Sequence, residues 1–240
     1  MELGFCSLPK DGKRSLTEKK ISRRSMLKLA GALGAGVAIG AGLEYGTTQI
    51  LKPPVTAPVK SPVTVSEALK NRKSTNGFQP QPLTNEKLLG VLWAAWGINR
   101  PDSGKRTAPT ASNVQNIDIY VLLPEGVYVY DAKGNQLTSV LAQDLRAKAT
   151  TNENMKDAPV QLLFVADYSK FRSNVPQAQK ELLSATHTGF IGQNVYLYCA
   201  SEGLGAHFYA TIDRAALKDS LKLRDDQAIV FAQAVGYPKG

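Results

Sequence analysis

Arg72 and Ser74 stand two residues apart in Arg72-Lys73-Ser74-Thr75-Asn76-Gly77-Phe78, just past a short helix-like stretch. A guanidinium fork and a hydroxyl at that spacing can reach one phosphate dianion, and charge-assisted bonds of this kind are the strong ones. A second segment runs Arg106-Thr107-Ala108-Pro109-Thr110-Ala111-Ser112-Asn113-Val114-Gln115, and a third holds Gly189, Gly192-Gln193-Asn194 and Gly203-Leu204-Gly205. Singly, each has a plain structural reading: a solvated helix end, an ordinary turn and a helix stop. No Ser-His-Asp set, carboxylate pair or P-loop emerges. Two His and two Cys, Cys6 and Cys199 being 193 positions apart, exclude a disulfide-rich scaffold and a Cys-based zinc site.

The elements that must carry these segments read as mixed α and β. Thr64 to Asn71 is helix-like, with Thr64 or Ser66 as its cap and Val65, Ala68 and Leu69 on one face. Thr84 caps a second helix. Lys87 stands where a capping box wants Glu or Gln, and Gly97 ends the helix. Asp118–Leu123 reads as a strand, and Gly126–Tyr130 and Gln136–Val140 as a hairpin around Lys133-Gly134-Asn135. Val160–Ala166 is nearly continuous in apolar residues, the mark of a central strand buried on both faces. Gln177–Ala200 is a long helix in which Gly189 and Gly192 mark close packing, and Ala228–Val235 is a last buried strand. Trp93 and Trp96 suit core or subunit packing, Cys199 suits a buried small hydrophobe, and His187 suits a surface or packing role.

Taken together and in this order, the three segments resemble the nitroreductase family of flavoproteins. The shared pattern is R-x-S-x-x-x-F, A-P-[ST]-A-x-N-x-Q, Q-N-x-x-L and G-L-G. It spans Arg72 to Gly205, and Val235-Gly236-Tyr237-Pro238 is similar to the family's closing strand and turn. The resemblance implies an α+β nitroreductase fold, a central mixed or antiparallel sheet surrounded by helices. It implies FMN as cofactor, homodimers with sites made by both chains, and ping-pong two-electron transfer with small-molecule donor and acceptor. It assigns the phosphate to Arg72 and Ser74, with Lys73 near the ribityl chain. The resemblance makes Asn76, Arg106, Pro109, Thr110, Ala111, Asn113 and Gln193 further expected cofactor contacts. Thr110, Ala111 and Asn113 would offer backbone N–H and amide groups, and Gly203, Leu204 and Gly205 would approach the ring. Ala206–Thr211 would flank the flavin, with His207 a candidate substrate contact; no side chain is expected as a general acid. Two departures stand out. Asn76 replaces the family's usual cation, leaving Arg106 or Lys105 to substitute, and Lys239 is the sole candidate for the late cation that helps bind phosphate. The Gly104–Gln115 region is similar to the branch containing thiazoline and oxazoline dehydrogenases. The rival reading is a non-catalytic flavin- or small-ligand-binding protein on the same fold.

Composition sets the compartment. The net charge of +9 suggests nucleic acid until it is located: residues 1–28 hold eight Lys/Arg against three Asp/Glu, and the remaining excess is mild. The basic, aromatic-interleaved face of a nucleic-acid binder is missing. Ser22-Arg23-Arg24-Ser25-Met26-Leu27-Lys28 precedes a run of 15 small and apolar residues, Leu29 to Leu43, shorter than the roughly 20 needed to span a bilayer. Paired arginines before a weak apolar core resemble a twin-arginine signal, whose translocase exports folded proteins, often cofactor-loaded. The organisation expected is therefore a signal segment at 1–43, a Pro-rich tether at 44–63 and an FMN-binding domain at 64–240, periplasmic or tethered if the signal stays uncut. An exported enzyme of this family meets little NAD(P)H, which points to another donor.

Overall fold

The computed structural model describes residues 63–239. The signal segment and all but the last residue of the tether lie outside the described residues. The helices are α1 (Val65–Asn71), α2 (Asn85–Trp96), α3 (Arg146–Ala149), α4 (Glu153–Lys156), α5 (Gln177–Ser201) and α6 (Arg214–Leu221). The strands are β1 (Ile98–Arg100), β2 (Lys105–Arg106), β3 (Ile117–Leu123), β4 (Gly126–Asp131), β5 (Gln136–Leu141), β6 (Val160–Asp167), β7 (Gly205–Tyr209) and β8 (Gln227–Gly236). β1 and β2 make a small ribbon. The other six form one sheet in the order β5-β4-β3-β6-β8-β7. Every neighbouring pair in it is antiparallel, which settles the expected mixed or antiparallel sheet in favour of the second.

All eight residues of β6 are buried, as its apolar run requires of a strand inside the sheet. Its side chains alternate between two cores: Leu162 and Phe164 join Leu92, Ile119 and Ile191 on one face, and Leu163 and Val165 join Leu145, Leu217 and Ile229 on the other. Truncating one of these leucines to Ala would cost about 2–5 kcal/mol. α2 and α5 cover the first face, and α3 and α6 the second.

The helix starts follow their caps. Thr64 and Glu67 form a complete capping box on α1. On α2 only Thr84 caps, accepting the Lys87 amide, as the missing Glu or Gln implies. α5 is 25 residues long, about 37 Å at the α-helical rise. Gly192 is the close contact expected within it: a Cβ there would meet the Phe208 ring at 2.6 Å. Gly189 corrects that expectation, because a Cβ there meets nothing within 4 Å.

Candidate functional site

Residues 72–76 form a ledge along the outer edge of β7. Ser74 makes an isolated parallel bridge to Ala206, and the Thr75 amide donates to the Ala206 carbonyl at 2.9 Å. Gly205 allows this approach, since a Cβ there would lie 2.7 Å from the Thr75 side chain. Tyr196 of α5 closes the arrangement. Its hydroxyl accepts the Phe208 amide at 2.8 Å and shares a hydrogen bond with Ser74 Oγ at 2.9 Å, while the Arg72 guanidinium sits 5.3 Å from its ring centroid. A cation over an aromatic face in this position is held without losing its donors. Arg72 and Ser74 are thus brought together on one side of the ledge, with a charged fork and a hydroxyl at hand. Lys73 and Thr75 instead line a cavity of 390 Å³ with Tyr196, Gly203, Leu204 and Pro238. Side chains of an extended segment alternate, so Lys73 is turned from Arg72 by its place in the chain.

The ledge is also tied to the C-terminus. Gln79 N donates to the Tyr237 carbonyl and Lys239 N to the Gly77 carbonyl. Gly77 has φ +92°, which only glycine adopts freely, and the Lys239 side chain packs beside it. The late lysine is therefore held at Gly77, at the far end of the ledge from Arg72. Asn76 is exposed. His207 Nδ1 donates to the Thr75 carbonyl at 3.2 Å.

The second segment is built differently. Thr110–Gln115 is a tight, kinked turn in which Ser112, Asn113 and Gln115 have φ of +51°, +54° and +46°. Gln115 is its hub: its amide donates to Thr110 Oγ1, its side-chain nitrogen to Gly104 O and Asn113 Oδ1, and its oxygen accepts Arg106 Nε at 2.7 Å. Arg106 Nη1 donates to the Trp96 carbonyl, and its guanidinium stacks 4.6 Å from the Trp96 ring centroid. Burial pushes the Arg106 pKa down, yet it stays a cation. Arg106 is therefore a clamp inside the loop, not the free cation that would replace the one missing at Asn76; Lys105 is exposed. The Ala111 amide, expected to point outward, donates inward to His187 Nε2 at 2.9 Å. Pro109 and Asn113 are exposed, and Thr110 is half-buried.

Ledge and loop both rest on α5, at Tyr196 and His187, nine residues apart and so about 14 Å along the helix. Gln193 is exposed one turn before Tyr196. The structure brings Arg72, Ser74, Gly205 and His207 to one place, and Lys73, Gly203 and Leu204 around the neighbouring cavity. Thr110, Ala111 and Asn113 stay apart from both within the chain. Tyr196 was missed from the sequence, although its position three residues after Gln193 put it on the same side of the helix. Cys199 is buried, as expected, and burial pushes its thiol pKa far up.

The chain matches the profile of the nitroreductase family over residues 69–237, and that of the twin-arginine translocation signal over residues 20–40. It is similar to the crystal structure of a protein assigned to the nitroreductases from Ralstonia eutropha, at 33% identity and TM-score 0.75, covering 86% of this chain and 97% of that one. A curated protein of Methanocaldococcus jannaschii, likewise assigned to the nitroreductases, is 25% identical over 68% of this chain and 86% of its own length. A structure from Desulfovibrio desulfuricans, in complex with FMN, shares the fold at TM-score 0.54 and 20% identity, covering 74% of this chain and 88% of that one.

Proposed function

Because the chain belongs to the nitroreductase family and carries a twin-arginine signal, we propose that it is an exported FMN-dependent oxidoreductase working between a small-molecule donor and acceptor. The observation that carries this reading is the pairing of Arg72 and Ser74 on one side of a ledge fixed to β7. That donor set fits a phosphate dianion: a fork of N–H groups and a hydroxyl. When bound, FMN supplies the two-electron carrier, exchanging hydride at N5 with donor and acceptor in turn.

The protein's part is to bind, orient and exclude water. Arg72 and Ser74 hold the phosphate, while Gly203, Leu204 and Gly205 let backbone come close to the ring. His207, held at Nδ1 by the Thr75 carbonyl, is proposed to touch substrate. The Thr110–Asn113 loop completes the site from a second copy of the chain, a reading supported by its 14 Å separation from the ledge along α5. Exposed apolar side chains on α1 and α5 support the homodimer: Val65 is 70% exposed, Leu69 52%, Leu182 67% and Phe190 45%. Export favours a donor other than NAD(P)H, in the periplasm or on a membrane tether, and substrates of the azoline-oxidising branch are the first to try.

A non-catalytic flavin-binding role is favoured by one observation. Arg106 is locked inside the loop by Gln115 and Trp96, so it does not replace the cation absent at Asn76. An absorbance spectrum of the protein purified before export tests the main reading. Oxidised-flavin bands with FMN released on denaturation support it. A colourless protein that takes up no added FMN overturns it, and bound FMN without turnover for any donor–acceptor pair selects the binding role.

A further inference from the structure

We propose that His187 is the positioning residue of the Thr110–Asn113 loop, holding the Ala111 amide at Nε2 so that the loop presents its remaining polar groups to FMN. The inference rests on the flavin reading above for its ligand, and on hydrogen-bond geometry for the rest.

The loop cannot hold its shape by backbone preference. Ser112, Asn113 and Gln115 all sit in the left-handed region, which costs about 1–2 kcal/mol for each residue with a side chain. Such conformations persist only where the surroundings fix them. Gln115 and Arg106 fix the loop to itself and to the β1–β2 ribbon. Among the described hydrogen bonds, the one from Ala111 to His187 ties it to α5.

The tautomer of His187 is forced by a chain of bonds that begins and ends on backbone. Ser184 Oγ donates to the Lys180 carbonyl at 2.6 Å, so it accepts the Asn116 side-chain N–H at 2.8 Å. That orients Asn116 with Oδ1 towards His187, 2.7 Å from Nδ1, so Nδ1 carries the proton. Nε2 is then left with a lone pair, which accepts the Ala111 amide. His187 is 1% exposed, so no water competes for either nitrogen. A second proton on the ring would lie at Nε2 and face another N–H donor, and the loop would lose its hold.

The ring's neighbours, Asn116, Ser184 and the Ala111 amide, are uncharged. Ionisable groups on the packed elements are engaged elsewhere. Arg106 bonds Gln115 and Trp96, Asp118 pairs with Lys170, and Glu181 accepts from Gln177. Lys180 lines a separate cavity with Tyr168, Asp225 and Asp226. Burial alone holds the His187 pKa below its usual value, so the accepting form prevails at neutral pH.

The test is FMN titration of flavin-stripped dimer, followed by flavin fluorescence from pH 5 to 8, alongside amide hydrogen exchange at Ala111. His187→Leu should weaken FMN binding at least tenfold at pH 7.5 and release the Ala111 amide to exchange. His187→Gln, whose side-chain oxygen can accept the same amide and cannot be protonated, should keep both and abolish the acid-side loss of affinity. If His187→Leu fails to fold, Asn116→Asp serves in its place. A carboxylate beside Nδ1 favours the imidazolium and should move the acid limb up by about one pH unit. Wild-type affinity in His187→Leu, or the same acid limb in wild type, His187→Gln and Asn116→Asp, would overturn the proposal. A wild type that binds FMN at no pH sinks the flavin reading and the ligand named here. In that event unchanged Ala111 exchange in His187→Leu overturns the positioning role separately.

Discussion

The ledge at 72–76 and the loop at 106–115 belong to one proposed site but are held by opposite means. The ledge is fixed mainly by backbone: a bridge to Ala206, an amide to its carbonyl, and Gly77 and Gln79 paired with the C-terminal strand's extension. Its functional side chains stay at the surface, available to a ligand. The loop is fixed by side chains, with Gln115, Arg106 and His187 turned inward to hold residues in left-handed conformations. A side chain can be lost from the ledge without losing the ledge, whereas the loop is made of the side chains it would lose.

The contrast can be broken in several ways. Arg106→Met should do the greatest damage to the fold, about 3 kcal/mol, because the Trp96 carbonyl and Gln115 oxygen both lose a charged donor. Urea unfolding should show a lower midpoint at unchanged slope. Arg72→Ala should leave that midpoint nearly alone yet weaken FMN binding about thirtyfold, or about 2 kcal/mol, read by flavin fluorescence. If the two variants exchanged their effects, the division would be wrong.

The pH dependence sharpens the same line. His187 has its folded-state pKa depressed by burial, so its contribution is complete above the unfolded value of about 6.5. It fades as pH falls through that value towards the folded one. Thermal unfolding should lose at most about 1.4 kcal/mol per pH unit across this window, a slope absent from His187→Gln. Smallest of all, Ser74→Ala should cost the fold under about 1 kcal/mol, because the backbone bridge survives, while still reducing FMN affinity. A midpoint loss equal to that of Arg106→Met would show the ledge to be as side-chain-dependent as the loop.

Local elements were legible in the sequence where local chemistry decides them. Thr84, Gly97 and the apolar run of β6 need no partner to be recognised. The direction in which the groups of the 106–115 segment point was not legible. Arg106 and the Ala111 amide face inward because Trp96 and His187 lie behind them, a tertiary fact that spacing does not carry. β7 was read as a flanking segment rather than a strand, since Gly-Ala-His-Phe-Tyr has mixed propensity and pairs with β8, 23 or more residues on. α6 was overlooked although it carried a signal: Asp213 caps it, and Leu217 and Leu221 share its buried face.

β7 ends the sheet, and a terminal strand with unpaired N–H and C=O groups is a template for another chain. Here two of the outward groups are taken, the Ala206 carbonyl by Thr75 and the Phe208 amide by Tyr196. The residues that frame the proposed cofactor site are therefore also a plug against edge-to-edge aggregation. For a protein exported already folded, solubility and cofactor loading become one property: variants that loosen the ledge should be found in the pellet before they are found inactive.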